Sequence, residues 1–405
     1  MQAHAHRRDA SVFGREFRRL RSRARLAGGH VDLEPQACHQ SGALAEIAWA
    51  GRTGTRSLTL SVPESDAELR QRMASLIGGY QISAAIGAVA RLGVADALAH
   101  GPAQPQELAA RVGADRLSLE RVLRALEDAG LFTSLEDGRI ALTALGQLLR
   151  SDVPGSARRG AIVSTEEWRW RAYGHLTHSV RTGEPGFRQA HGCGLWEYLD
   201  REPDAAAMFN VSMSRVASAN AAAIVRTYDF SRVQRLVDVG GGHGVLARAV
   251  LEANPQMRAV VFDLPGVIEG TRTRLADAGL TDRCEAIAGD FFEAVPAGGD
   301  AYVLSWILHD WDDRSAARIL ANCRAAMREG GRLLAIEMVV PSGEEPRSSP
   351  DLDRLVKASD MEMLAIVGGR ERTAAEYREL YASGGFELTR VLALDSLPWS
   401  VLEGV

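Results

Sequence analysis

The run Val237-Asp-Val-Gly-Gly-Gly-His-Gly244 is the first place where residue types and spacing point to chemistry. Glycines such as Gly240 and Gly242, between an apolar run and a helical stretch, let the backbone approach a ligand closely and leave helix N–H groups free to meet it. Gly242-His-Gly-Val-Leu-Ala247 also satisfies a G-x-G-x-x-A fingerprint, so a nicotinamide dinucleotide is one candidate. Three acids favour another. Asp238 stands just ahead of the glycines, awkward beside a pyrophosphate but suited to holding a turn next to a cation. Asp263 ends the next apolar run, where it could accept both hydroxyls of a ribose, and Asp290-Phe291 ends the third with a carboxylate and an aromatic face for an adenine. Together they suit a cationic nucleoside better than a diphosphate. The plain alternative is a structural turn with solvated carboxylates.

His309, in Trp306-Ile-Leu-His-Asp-Trp311, follows the fourth apolar run and so belongs at the same edge. An imidazole titrates near 6.5 and can accept a proton at neutral pH. Taken alone, a histidine there is more often structural. Trp306, Met361 and Met363 could wall a flat aromatic ligand, and could equally be core. Cys38, Cys193, Cys284 and Cys323 are scattered without a C-x-x-C pair, and no carboxylate cluster suited to magnesium is legible, so neither a disulfide framework nor a metal is expected.

These groups need a scaffold, and the order of apolar runs supplies one. From residue 233 onward short β-type runs alternate with helical stretches: 236–239, 259–262, 284–288, 301–304 and 333–337, then 387–394 and 399–402 across Leu397-Pro398. That alternation predicts a parallel sheet wrapped by helices and closed by an antiparallel edge, with ligands at the carboxyl ends of its strands. Upstream, 106–113 and 118–129 read as helices, the second capped by Ser118, and 131–143 reads as a hairpin turning at Asp137-Gly138. Helix, turn, helix and hairpin make a winged helix. Its second helix sets Glu120, Glu127 and Asp128 against Arg121 and Arg124, a poor face for phosphates, so packing or dimerisation is expected rather than DNA binding.

The chain has 405 residues, 46% hydrophobic and 24% charged, enough for roughly two to three domains of about 150 residues. A formal charge of -5 argues against a general nucleic-acid binder. No apolar run reaches the roughly 18 to 20 residues of a bilayer span and the start lacks the apolar core of a secretion signal, so a cytoplasmic protein without a membrane partner is expected. Four segments are expected: an Arg-rich, flexible extension over 1–62, a dimerisation unit over 63–160, a helical linker lining the substrate pocket over 161–230, and a cofactor-binding unit over 231–405.

Five motifs occur in order: Leu236-Val-Asp-Val-Gly-Gly-Gly-His-Gly244, Val261-Phe-Asp-Leu-Pro-Gly266, Gly289-Asp-Phe-Phe292, Leu308-His-Asp-Trp311 and Gly368-Gly-Arg-Glu-Arg-Thr373. From about residue 70 to the end the chain thereby resembles the S-adenosylmethionine-dependent O-methyltransferases of the plant caffeic acid and bacterial polyketide type. The resemblance implies a Rossmann-like α/β fold with a seven-stranded sheet, an N-terminal winged-helix dimerisation domain, a homodimer, and S-adenosylhomocysteine as product. It implies His309 as general base with Glu337 and Glu371 beside it, although Arg370 and Arg372 bracket Glu371 and make an ordinary salt bridge the plain alternative. It implies cofactor contacts from Asp238, Gly240, Gly242, Asp263, Leu264, Asp290 and Phe291, with Ser305 where plant members carry lysine. Phe209-Asn210-Val-Ser-Met213, with Asp310, Trp306, Met361 and Met363, would meet a small hydroxylated aromatic acceptor, a natural-product intermediate. Rival readings are a relative with hydroxylating or decarboxylating chemistry, and a winged-helix regulator that senses a small molecule.

Overall fold

The computed structural model describes residues 45–51, 54–60, 65–342 and 349–405. The Arg-rich segment and Cys38 lie outside the described residues. The chain forms two units, residues 1–80 and residues 81–405. In the first, β1 (Ala45–Gly51) and β2 (Gly54–Leu60) pair antiparallel, with Ala45 opposite Leu60. An extension without regular structure was expected here; the ribbon lacks the clean period of two that would have marked it.

The helix Asp66–Leu92 corrects a second expectation. By length and composition it is apolar enough to cross a bilayer, with an 18-residue window of mean hydropathy 1.4 that is 17% buried. Its apolarity is carried by small residues, Ala and Gly, interrupted by Gln and Ser, so no continuous run of large side chains announces it.

In the second unit, the helices Pro105–Val112 and Arg116–Asp128 are followed by the antiparallel pair β3 (Phe132–Ser134) and β4 (Ile140–Leu142). Gly113 stops the first helix in the left-handed conformation that glycine tolerates. Asp115, not Ser118, caps the second: its carboxylate accepts the Ser118 N–H at 2.9 Å. Leu108, Leu119, Leu123, Leu126 and Phe132 bury the inner faces of this module.

The remaining strands are β5 (Arg235–Val239), β6 (Arg258–Asp263), β7 (Cys284–Ala288), β8 (Ala301–Ser305), β9 (Arg332–Val340), β10 (Arg372–Thr373), β11 (Leu388–Ala393) and β12 (Trp399–Gly404). Seven run in the order β11-β12-β9-β8-β5-β6-β7, and the two-residue β10 pairs with β9. β5 to β9 are parallel, while β12 is antiparallel to both β9 and β11. Strand order reverses between β5 and β8, which opens a crevice at their carboxyl ends. Alternate residues face two helical layers. Leu236, Val261, Val303 and Ile336 join the core that includes Ile224, Leu246 and Val250. Val237, Val260, Leu304 and Ala335 join the one that includes Ile319, Leu320 and Tyr377.

Candidate active site

The glycine turn follows β5 directly. Gly240, Gly242 and Gly244 all adopt positive φ, 68°, 55° and 72°, the region that a side chain disfavours. A Cβ on Gly240 would strike Ile307 Cδ1 at 2.4 Å, whereas one on Gly242 would meet nothing within 4 Å: the turn is packed on one flank and open on the other. Asp263, at the end of β6, accepts the Gly242 N–H at 2.8 Å and the Leu264 N–H at 2.7 Å. Burial raises its pKa against those two bonds. Leu264 is exposed at the start of the helix Pro265–Asp277. Asp290 accepts the Phe292 N–H at 2.8 Å, and Phe291, half-buried, stands edge-on to Phe292 and Trp311. Asp238 lies beneath the turn, 1% exposed, its Cγ 2.7 Å from where a Gly241 Cβ would be. Among the described residues neither of its oxygens makes a hydrogen bond of good geometry. Burial, only partly countered by the Ala247 N–H and reinforced by Asp263, lifts it to about 7.

The second group is built across β8, β9 and the segment before β10. Immediately after β8, Trp306 takes φ 58°, a left-handed conformation that costs a bulky residue about 1–3 kcal/mol. Past this kink the N–H groups of Ile307 and Leu308 donate to Glu337 Oε1 at 3.1 and 2.7 Å. His309, in the short 3-10 turn Leu308–Asp310, sets Nδ1 3.0 Å from Glu371 Oε1 and 3.4 Å from Glu337 Oε2. Its Nε2 is 3.5 Å from Asp310 Oδ1. Ser359 Oγ donates to Glu371 Oε1 at 2.7 Å, which fixes that carboxylate from the helix Pro350–Ile366.

Burial disfavours charge on His309, yet Glu337, Asp310 and Glu371 outweigh it and lift the imidazole to about 10. Burial raises Glu337 to about 7 and Asp310 to about 6, against the pull of His309. Protons on this cluster belong to the group rather than to one residue.

The arrangement overturns two sequence expectations. Arg370 and Arg372 do not pair with Glu371. Arg370 pairs with Asp313 and Glu376, and fully buried Arg372 pairs with Asp313 while donating to the carbonyls of Leu308 and Trp311 at 2.9 and 2.8 Å. They pin the Glu371 segment to the His309 segment instead. A Cβ on Gly369 would lie 1.9 Å from the His309 carbonyl, so the approach also requires glycine. Second, a carboxylate cluster of metal-ligand type does form: His309, Glu337 and Glu371 offer atoms within 4.8 Å of one another. Nδ1 is engaged with Glu371 and Glu337 Oε1 with two backbone N–H groups, while Glu337 Oε2 and Glu371 Oε2 accept no hydrogen bond among the described residues.

On the far side of His309, Trp306 packs against Trp399 of β12 at 5.0 Å between ring centroids, and Trp399 is 6.3 Å from the imidazole ring. Trp399 was missed because nothing near it in sequence marks a site; its place follows from β12 pairing with β9, where it opposes Met338. Phe209 stands edge-on to Trp196 at 5.8 Å, both packed against an apolar cluster that includes Trp168, Phe187 and Leu195. Asn210 and Met213 are half-buried on the helix Pro203–Thr227, Met363 is half-buried and Met361 exposed. Among the described residues no hydrogen bond, ion pair or ring contact joins these five to His309. Ser305 ends β8, half-buried.

The profile described as an O-methyltransferase domain matches residues 173–387, and that described as an O-methyltransferase dimerisation domain matches 74–152. The phenazine O-methyltransferase PhzM of Lysobacter antibioticus is 43% identical over 317 residues, 78% of this chain and 91% of that protein. The solved structure of the mitomycin 7-O-methyltransferase MmcR superposes with a TM-score of 0.77 at 36% identity, covering 83% of this chain and 97% of that one. NcsB1, an O-methyltransferase from neocarzinostatin biosynthesis, solved with S-adenosylmethionine and 2-hydroxy-5-methyl naphthoic acid, gives 0.71 at 35% identity over 80% and 95%.

Proposed function

The chain belongs to the S-adenosylmethionine-dependent O-methyltransferases, and from that premise we propose that it methylates a phenolic hydroxyl of a flat aromatic natural-product intermediate with His309 as the base. The residues at the crevice suit the cofactor: an open flank at Gly242, a strand-end carboxylate at Asp263 and an aromatic face at Phe291. Gly240, Gly242, Asp263, Leu264, Asp290, Phe291 and Ser305 would hold it, with Asp238 supporting the turn from below. When bound, S-adenosylmethionine supplies a methyl group activated by its sulfonium.

The observation that carries the reading is the 3.0 Å approach of His309 Nδ1 to Glu371, with Glu337 behind it. A free phenol has a pKa near 10 and needs help to become a nucleophile at neutral pH. With Nδ1 turned to the two glutamates, Nε2 is the nitrogen left to take that proton. The carboxylates stabilise the imidazolium that results, which is why the pKa is raised; the neutral ring able to take the proton is therefore the minor form near pH 7 and grows as pH rises toward 10. Asp310, beside Nε2, orients the acceptor, and Trp306 and Trp399 give it an apolar wall. Phe209, Asn210 and Met213 are assigned to the same acceptor by resemblance, and Met361 and Met363 by residue type, as apolar walls. Relatives with natural-product acceptors support this class of substrate. The test is release of S-adenosylhomocysteine over a panel of hydroxylated phenazines, naphthoic acids and quinones. Release that needs an acceptor and vanishes in His309→Ala supports the reading; acceptor-dependent release that survives the substitution removes His309 as base.

The same reading takes the protein as a cytoplasmic homodimer without a nucleic-acid or membrane partner. Leu69, Met73, Leu76 and Ile77 are exposed at helical spacing on Asp66–Leu92, and a second copy would cover them. Ile77→Asp is expected to halve the mass measured by light scattering; an unchanged mass would place the interface elsewhere.

A further inference from the structure

The glycine turn is tied down from four directions. Gly240 N–H donates to the Phe262 carbonyl at 2.8 Å, Gly242 N–H to Asp263 at 2.8 Å, and Thr271 Oγ1 to the Gly242 carbonyl at 2.7 Å. These three partners come from β6 and the helix after it, within the cofactor-binding layer. The fourth does not. Ser214 Oγ, on the helix Pro203–Thr227, lies 2.9 Å from Nδ1 of His243 in the turn itself.

That helix also carries Phe209, Asn210 and Met213. Asn210 and Ser214 are four residues apart, so they share one face a single turn apart, about 6 Å along the axis. His243 is half-buried, and burial first, then Arg274, hold its pKa below the ordinary value, so the ring is neutral at working pH. A neutral imidazole presents one donor and one acceptor nitrogen, and a hydroxyl can answer either, so the contact survives a change of tautomer.

We propose that the Ser214–His243 hydrogen bond couples the two halves of the site, so that order imposed on the glycine turn by bound cofactor passes to the helix that lines the acceptor. Ser214 and His243 are positioning residues, acting through the turn and the helix. The proposal rests on the reading of Phe209, Asn210 and Met213 as acceptor-lining. Coupling of this kind is reciprocal, and one hydrogen bond sets its size at about fivefold in affinity.

The experiment uses the full-length chain and S-adenosylhomocysteine. Amide hydrogen exchange is followed across residues 207–214 with and without that ligand, in the wild type, Ser214→Ala and Ser214→Thr. Protection should appear in the wild type and in Ser214→Thr and be lost in Ser214→Ala, while affinity for S-adenosylhomocysteine alone, by calorimetry, changes less than about twofold. Equal protection in wild type and Ser214→Ala, or none in the wild type, overturns the coupling. In turnover, Ser214→Ala should raise the acceptor KM about fivefold with kcat nearly unchanged; a fall in kcat at constant KM also overturns it. Should the wild type methylate nothing on the panel, the acceptor reading fails, and the exchange measurement, which needs no acceptor, still decides the coupling.

Discussion

Two sets of buried carboxylates share the carboxyl edge of one sheet; burial lifts Asp238 and Glu337 alike to about 7, and their neighbours put them to different uses. Asp238, 1% exposed beneath the glycine turn, has among the described residues no cationic partner and no well-formed hydrogen bond on either oxygen, only the weak pull of the Ala247 N–H. Glu337 and Glu371, 0% and 3% exposed, enclose an imidazole and receive backbone and hydroxyl donors besides. A carboxyl group buried alone is pushed toward its neutral acid and does best by staying still. Buried against an imidazole, the same group makes an ion cluster in which accepting a proton on the ring is favourable. Chemistry at this edge is thus decided by what faces each carboxylate, since burial is common to all three.

The largest test of that contrast is His309→Ala, which would convert the second site into a copy of the first, with two glutamates and no cation. Loss of a general base costs about 10²–10⁴ in kcat. Leaving buried charges unpaired should also cost about 3–5 kcal/mol of stability, read by chemical denaturation. Affinity for S-adenosylhomocysteine should hardly move, because among the described residues no hydrogen bond or ring contact ties the imidazole to the glycine turn. A collapse of that affinity would show that the two regions are one site energetically.

A milder test is pH. Glu337 is held up to about 7 and Asp310 to about 6, both by burial, and His309 to about 10 by the carboxylates that outweigh its burial. As pH falls below 7, Glu337 and then Asp310 take up protons, and the negative charge that favours proton transfer to Nε2 disappears. The ring itself keeps its proton until pH approaches 10, so kcat should rise with pH from 7 toward 10, with an apparent pKa that belongs to the cluster as a whole. A profile already flat from pH 7 to 9 would mean that the glutamates orient the ring without raising its affinity for a proton.

Much of this was legible in the chain because it rests on local rules. The alternation of β-type runs with helices gives the parallel sheet, and the glycines of the turn announce positive φ, which Gly240, Gly242 and Gly244 adopt. What stayed hidden depends on tertiary placement. Arg372 looked like a neighbour of Glu371, but adjacent residues of an extended segment point to opposite sides, and its guanidinium turns to Asp313 and two carbonyls. Trp399 reaches His309 only through an antiparallel pairing with β9. The apolar face of Asp66–Leu92 escaped notice because Ala and Gly dilute its large side chains.

The smallest expected effect tests the other half of the contrast. Asp238 is raised from 3.8 to about 7 by burial. Between those values the native state holds a proton that the unfolded chain releases, so the stability this group contributes is full below about 3.8 and lost as pH rises through about 7. Asp238→Asn keeps the shape and removes the titration. From pH 5 to 8.5 the wild type should therefore lose more thermal stability than the variant, by about 3 °C in Tm for a loss of about 3 kcal/mol in a chain of this size. Groups that titrate in both proteins, Glu337 and Asp310 among them, cancel in the difference. Parallel curves would mean that Asp238 is ionised in the fold, held by a donor such as the Ala247 N–H. The glycine turn would then hold a second paired carboxylate, and the distinction between the two regions would have to rest on the imidazole alone.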